Sequence, residues 1–78
     1  MEVRIKYFGA VEEKVGLNEE LLPLTNQMNK VSELKSFLEE KYHLSDLSYQ
    51  IAVNKKLVVD AKLVEGDEVA FLPPFAGG

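Results

Sequence analysis

The groups that could do chemistry in this sequence lie at its end, in Pro73-Pro74-Phe75-Ala76-Gly77-Gly78. Gly78 offers an α-carboxylate. Gly77 and Gly78 have no side chains, so both can thread a channel too narrow for any other residue. Pro73 and Pro74 fix φ and donate no backbone hydrogen bond, so a sheet ladder cannot run through them as a central strand. Pro74 also pushes Pro73 toward extended geometry, which makes the pair a stiff polyproline-like spacer. From Pro73 to Gly78 the chain can reach roughly 20 Å when fully extended. Phe75 follows the prolines, where folding back into a core is difficult, and an exposed aromatic there marks a partner surface. Two plainer assignments compete: Phe75 packed over the end of the sheet, and the glycines as frayed chain.

Elsewhere the chemistry is sparse. His43 is the sole histidine and there is no cysteine. That combination excludes disulfides, thiolate catalysis and cysteine metal sites, and it leaves nothing from which to build a nucleophilic triad. A role for His43 at the end of a helix is expected instead. The five glycines stand at 9, 16, 66, 77 and 78, so no glycine-rich phosphate loop is present. The adjacent pairs Glu12-Glu13, Glu19-Glu20 and Glu39-Glu40 read as solvated surface, and Asp67-Glu68 as turn chemistry. The chain carries no recognisable active site of its own.

Several elements must position the tail. Residues 2–8 alternate, with Val3, Ile5 and Tyr7 on one face and Glu2, Arg4 and Lys6 on the other, which predicts a half-buried strand. A short helix is expected over 10–15, stopped by Gly16. Residues 19–24 read as a second strand, confined to a sheet edge by Pro23. Val31, Leu34, Phe37, Leu38 and Tyr42 form one apolar stripe, predicting the main helix over 31–42 with Asn29 as its N-cap. Strands follow over 49–53 and 57–59, joined by a turn at Asn54-Lys55-Lys56. Gly66 is expected to take positive φ in a turn. The last strand covers 68–72, and its unbroken apolar run Val69-Ala70-Phe71-Leu72 predicts a central strand covered on both faces. These elements predict an α+β domain, a mixed four- to five-stranded sheet packed against one main helix.

Seventy-eight residues make one domain. We expect it to occupy residues 1–74, with 75–78 as a flexible tail. The 46% apolar and 28% charged fractions are those of an ordinary globular protein. No apolar run reaches transmembrane length and the start of the chain lacks a signal-peptide pattern, so a cytoplasmic location and no membrane partner are expected. A net charge of −4 and a pI near 4.9 argue against nucleic acid and suit a partner with a basic channel.

The stretch Glu65-Gly66-Asp67-Glu68-Val69-Ala70-Phe71-Leu72-Pro73-Pro74-Phe75-Ala76-Gly77-Gly78 resembles the C-terminus of the small, sulfur-carrying subunit of molybdopterin synthase. That family belongs to the ubiquitin-like β-grasp carriers, and its ending reads G-D-E-V-A-F-x-P-P-x-x-G-G. Every specified position of the pattern is matched here. The resemblance implies a β-grasp fold and a carrier that is not catalytic alone. It implies that an E1-like adenylating enzyme joins Gly78 to AMP with ATP and magnesium, and that a sulfur donor converts the acyl adenylate to a thiocarboxylate. The charged tail would then enter the large subunit of molybdopterin synthase, with Gly77 threading its active site and Pro73, Pro74, Phe75 and Ala76 contacting that partner. The carrier itself would bind no cofactor or metal. Other carriers of this fold serve thiazole or tRNA thiolation, though thiazole carriers usually lack the Pro-Pro pair. A ubiquitin-like modifier uses the same activated glycine, and a plain interaction domain is the alternative from another class.

Overall fold

The computed structural model describes residues 1–74; Phe75, Ala76, Gly77 and Gly78 lie outside the described residues. The elements run β1 (Glu2–Tyr7), α1 (Gly9–Val15), β2 (Glu19–Pro23), α2 (Val31–Tyr42), β3 (Gln50–Val53), β4 (Lys56–Val58) and β5 (Glu68–Leu72). The strands form one sheet in the order β2-β1-β5-β3-β4. β5 lies parallel to β1, while β1·β2, β3·β5 and β3·β4 are antiparallel, so the sheet is mixed.

The sequence signals act as expected at most turns. Gly16 closes α1 in the left-handed region at φ 85°, its N–H reaching the Glu12 carbonyl at 2.9 Å. Pro23 ends β2, which is an edge strand. Gly66 turns at φ 86°. The β3–β4 hairpin turns on Asn54 and Lys55, both at positive φ, so β4 starts at Lys56 rather than in the turn. Val59, expected in that strand, lies beyond it and is exposed.

One face of the sheet and the two helices enclose the core. Val3, Ile5, Val69, Phe71 and Ile51 from the strands meet Val11 of α1 and Val31, Leu34 and Leu38 of α2. No polar side-chain atom among the described residues is buried without a partner.

Three local expectations need correction, and one is refined. Phe37 is 44% exposed, with the Lys41 ammonium 5.8 Å from its ring centre, so it is not part of the buried stripe. Of the stripe, Val31, Leu34 and Leu38 are buried and Tyr42 is partly buried against the core. Asn29 is not the N-cap of α2, which begins after Lys30. The free N–H groups there are met by acidic side chains: Glu33 accepts from Asn29 and Lys30, and Asp60 accepts from Ser32 at 2.9 Å. The Ser32 bonds hold the Asp60 carboxyl below its ordinary pKa. His43 does end α2, but through its backbone, in the left-handed region at φ 58° with its N–H toward Glu39. Glu20 is not simply solvated: it lies opposite Ile5 in the core-facing row of β2 and accepts from Tyr7 at 2.6 Å and Tyr42 at 2.7 Å.

Candidate functional site

The tail leaves the sheet from its centre. β5 lies between β1 and β3, and its last paired residue, Leu72, stands opposite Gln50, the first residue of β3. Pro73 and Pro74 follow at once, and with no N–H to offer they end the ladder. Pro73 rests on Gly9: a Cβ built at Gly9 would sit 3.1 Å from Pro73 Cγ. Gly9 also takes φ +59°, so glycine serves both the backbone conformation and the close approach. On the other side, the Gln50 side-chain amide donates to the Pro74 carbonyl. Phe8, next to Gly9, donates its N–H to the Phe71 carbonyl at 3.1 Å.

Beside this exit the open face of the sheet forms an apolar groove. Ala52 pairs with Ala70 in the register, and these small side chains make its floor. Leu57, paired with Ala52 from β4, stands as one wall and is 60% exposed. Phe8 and Leu72 close the end nearest the tail. Charges line the opposite margin, where Lys6 and Glu68 form a 3.3 Å ion pair and Lys55 lies nearby. An apolar depression rimmed by charge is the form of a protein-docking surface.

This groove corrects the expectation for β5. Its apolar run does not arise because structural elements cover both faces. Val69 and Phe71 enter the core, whereas Ala70 and Leu72 face the groove. Of the residues singled out in the sequence, Pro73 and Pro74 follow directly on Leu72, which lines the groove. Phe75, Ala76, Gly77 and Gly78 lie outside the described residues. Gly9, Phe8, Gln50 and Leu57 were missed. Phe8 had a legible signal: it continues the outward parity of Arg4 and Lys6, where an aromatic is out of place on a solvated face.

The described residues contain no group of three or more His, Cys, Asp or Glu that could hold a metal. Their shifted titrations belong to the framework. Burial, reinforced by the bond to Glu20, raises the Tyr7 phenol and pushes Tyr42 up to about 12; burial and a bond to Glu39 raise Tyr49. No described helix is long and apolar enough to cross a membrane. What the described residues offer is therefore an apolar groove beside the point where the chain leaves β5.

A model of the ThiS family matches residues 5–78, nearly the whole chain. The chain belongs to the ThiS family. Solved structures agree. A putative molybdopterin converting factor subunit 1 from Pyrococcus furiosus is 27% identical, with a TM-score of 0.82 over 95% of this chain and 98% of that one. A chain from a protein–protein complex of subunits 1 and 2 of the Helicobacter pylori molybdopterin-converting factor is similar over 100% of both chains, at 28% identity and a TM-score of 0.73. The small archaeal modifier protein SAMP1 of Haloferax volcanii shares the fold, with a TM-score of 0.76 at 19% identity over 100% of both chains. No curated protein matches the chain significantly in sequence. The fold is the ubiquitin-like β-grasp, and the chain is a small ThiS-like sulfur carrier.

Proposed function

We propose that this ThiS-family chain carries sulfur for molybdopterin synthesis as the small subunit of molybdopterin synthase. The observation that carries the reading is the juxtaposition at the end of β5. A Pro-Pro-Phe-Ala-Gly-Gly tail is rooted beside an apolar groove, on a chain similar along its full length to a chain of a two-subunit converting-factor complex.

The chemistry follows from the residues. A carboxylate is a poor electrophile. An E1-like partner with ATP and magnesium joins the Gly78 carboxylate to AMP and releases pyrophosphate, which gives the acyl carbon a good leaving group. A donor of sulfide sulfur then attacks that carbon. A C–S bond forms, the C–O bond to AMP breaks, and the terminus becomes a thiocarboxylate, itself a nucleophile. In the large subunit this sulfur attacks an electrophilic carbon of a pterin precursor, a C–S bond forming as an oxygen leaving group departs. Water then cleaves the acyl C–S bond, which leaves sulfur on the pterin and restores the Gly78 carboxylate. Gly77 and Gly78 permit close approach there, and Pro73-Pro74 limits the entropy lost on insertion. Phe75 and Ala76 contact the partner beside the prolines, and the groove at Phe8, Leu57 and Leu72 docks against it. The carrier acts in the cytoplasm, binds neither nucleic acid nor membrane, and supplies no catalytic group beyond its terminus. The Pro-Pro pair favours this role over delivery to thiazole.

The test is a calorimetric titration against the molybdopterin synthase large subunit from the same genome. The native chain binds. Phe75→Asp and Leu57→Asp each weaken binding by about 2 kcal/mol, the scale of a buried hot spot, while melting as native. If the large subunit does not bind the native chain, the molybdopterin assignment is wrong, although the ThiS-family membership stands.

A further inference from the structure

We propose that Gln50 is a positioning residue for the charging of Gly78, acting with Gly9 to fix the direction in which the chain leaves the sheet. The inference rests on the carrier reading above. β5 loses its ladder at Leu72, because the next two residues have no N–H. An untethered chain could still pivot there: each proline holds the residue before it extended and fixes its own φ, but ψ of Pro74 stays open. Two contacts remove that freedom. Gly9, just past the end of β1, presents a bare Cα surface to the Pro73 ring, where an added Cβ would stand 3.1 Å from Cγ. Gln50, at the start of β3, reaches beyond its paired Leu72 and donates its side-chain amide to the Pro74 carbonyl.

These two strands are the neighbours of β5 on either side. The prolyl pair is therefore bracketed within the sheet, one contact per side. Both contacts are local to the tail root. Gln50 alternates with Ile51, which enters the core, so removing the Gln50 amide takes nothing from the core. A carboxylate that must meet an ATP phosphate inside another protein reacts in proportion to the fraction of bound tails aimed correctly. Fixing the root raises that fraction without adding any contact to the partner.

The experiment measures ATP–pyrophosphate exchange by a purified adenylating enzyme of the ubiquitin-activating type from the same genome, with carrier concentration varied. Gln50→Leu removes the donor, and Gln50→Lys retains one of comparable reach. Gln50→Leu should lower kcat about fivefold, the factor carried by one net hydrogen bond, with KM within about twofold and the melting temperature unchanged. Gln50→Lys should recover most of the loss. The Pro74 13C′ resonance, read without any enzyme, should move in Gln50→Leu and return toward its native position in Gln50→Lys. Native kcat in Gln50→Leu, or equal loss in both variants, overturns the proposal. If the native chain is not charged at all, the carrier reading fails and the charging role with it; an unmoved Pro74 13C′ resonance would then refute the tether itself.

Discussion

Glu20 offers the sharpest test of how the framework is held. A single carboxylate oxygen accepts from the Tyr7 hydroxyl at 2.6 Å and the Tyr42 hydroxyl at 2.7 Å, and the two rings meet edge-on with centres 6.1 Å apart. This cluster ties the end of α2 to β1 and to the β2 edge. In Glu20→Ala both phenols lose their acceptor. Tyr7 is 1% exposed, so its hydroxyl has no ready access to water. An unsatisfied buried group costs about 1–3 kcal/mol, and Tyr7 belongs at the upper end. Tyr42 is only half-buried and can turn to solvent, adding about 1 kcal/mol or less. The sum is about 2–4 kcal/mol. For a domain of this size each kcal/mol moves the melting temperature by about 4–8 °C, so circular dichroism should report a fall of roughly 8–30 °C. In a Tyr7→Phe, Tyr42→Phe background the same Glu20→Ala change should cost less than about 1 kcal/mol, because no donor is stranded. Glu19→Ala is the control, since Glu19 faces the other side and its 2.7 Å pair with Arg4 is half exposed; it should cost under about 1 kcal/mol. If Glu20→Ala melted within about 4 °C of native, the phenols would have found other partners and the argument would be refuted.

Two further outcomes follow. The folded state raises the titrations of Tyr7, Tyr42 and Tyr49, so above pH ~10 the unfolded chain releases phenolic protons that the folded chain retains. Their contribution is complete below that pH and declines as pH rises toward about 12, the value for Tyr42. Urea midpoints measured from pH ~9 to ~11.5 should fall steadily, and a flat profile would contradict the assignment. Deleting Gly77 and Gly78 should leave the melting temperature within about 2 °C of native, because neither residue can bury apolar side-chain area. A large drop would make the tail structural.

The parts legible in the sequence were those that local chemistry decides. The two-residue alternation of β1, the Pro23 limit on β2, the left-handed glycines at 16 and 66 and the span of α2 all depend on neighbours along the chain. The parts that stayed hidden depend on register. Nothing local says that Leu57 will stand beside Ala52, or Ala52 beside Ala70, and those pairings make the groove. The apolar run of β5 was read as burial on both faces because hydrophobicity alone does not distinguish a face covered by other elements from an open one. Glu20 looked like surface because adjacent strand residues face opposite ways, and only pairing with Ile5 shows which of Glu19 and Glu20 turns inward. Phe37 fitted the helical stripe, but periodicity marks a face and not its edges, and burial stops at Val31, Leu34 and Leu38 while Phe37 stays exposed. The bond from Gln50 to Pro74 joins residues that no motif relates.

The central claim is that Gly78 is the reacting residue, and intact-mass spectrometry tests it most directly. The chain is incubated with an E1-like activating enzyme from the same genome, ATP, magnesium and a sulfide donor, then fragmented. The account predicts a mass gain equal to sulfur minus oxygen, confined to Gly78. A chain extended by one residue beyond Gly78 should show none, because its carboxylate lies past the register set by Pro73-Pro74 and Gly77. Charging of the extended chain as efficient as that of the native one would contradict the carrier mechanism, as would a native chain whose mass never changes.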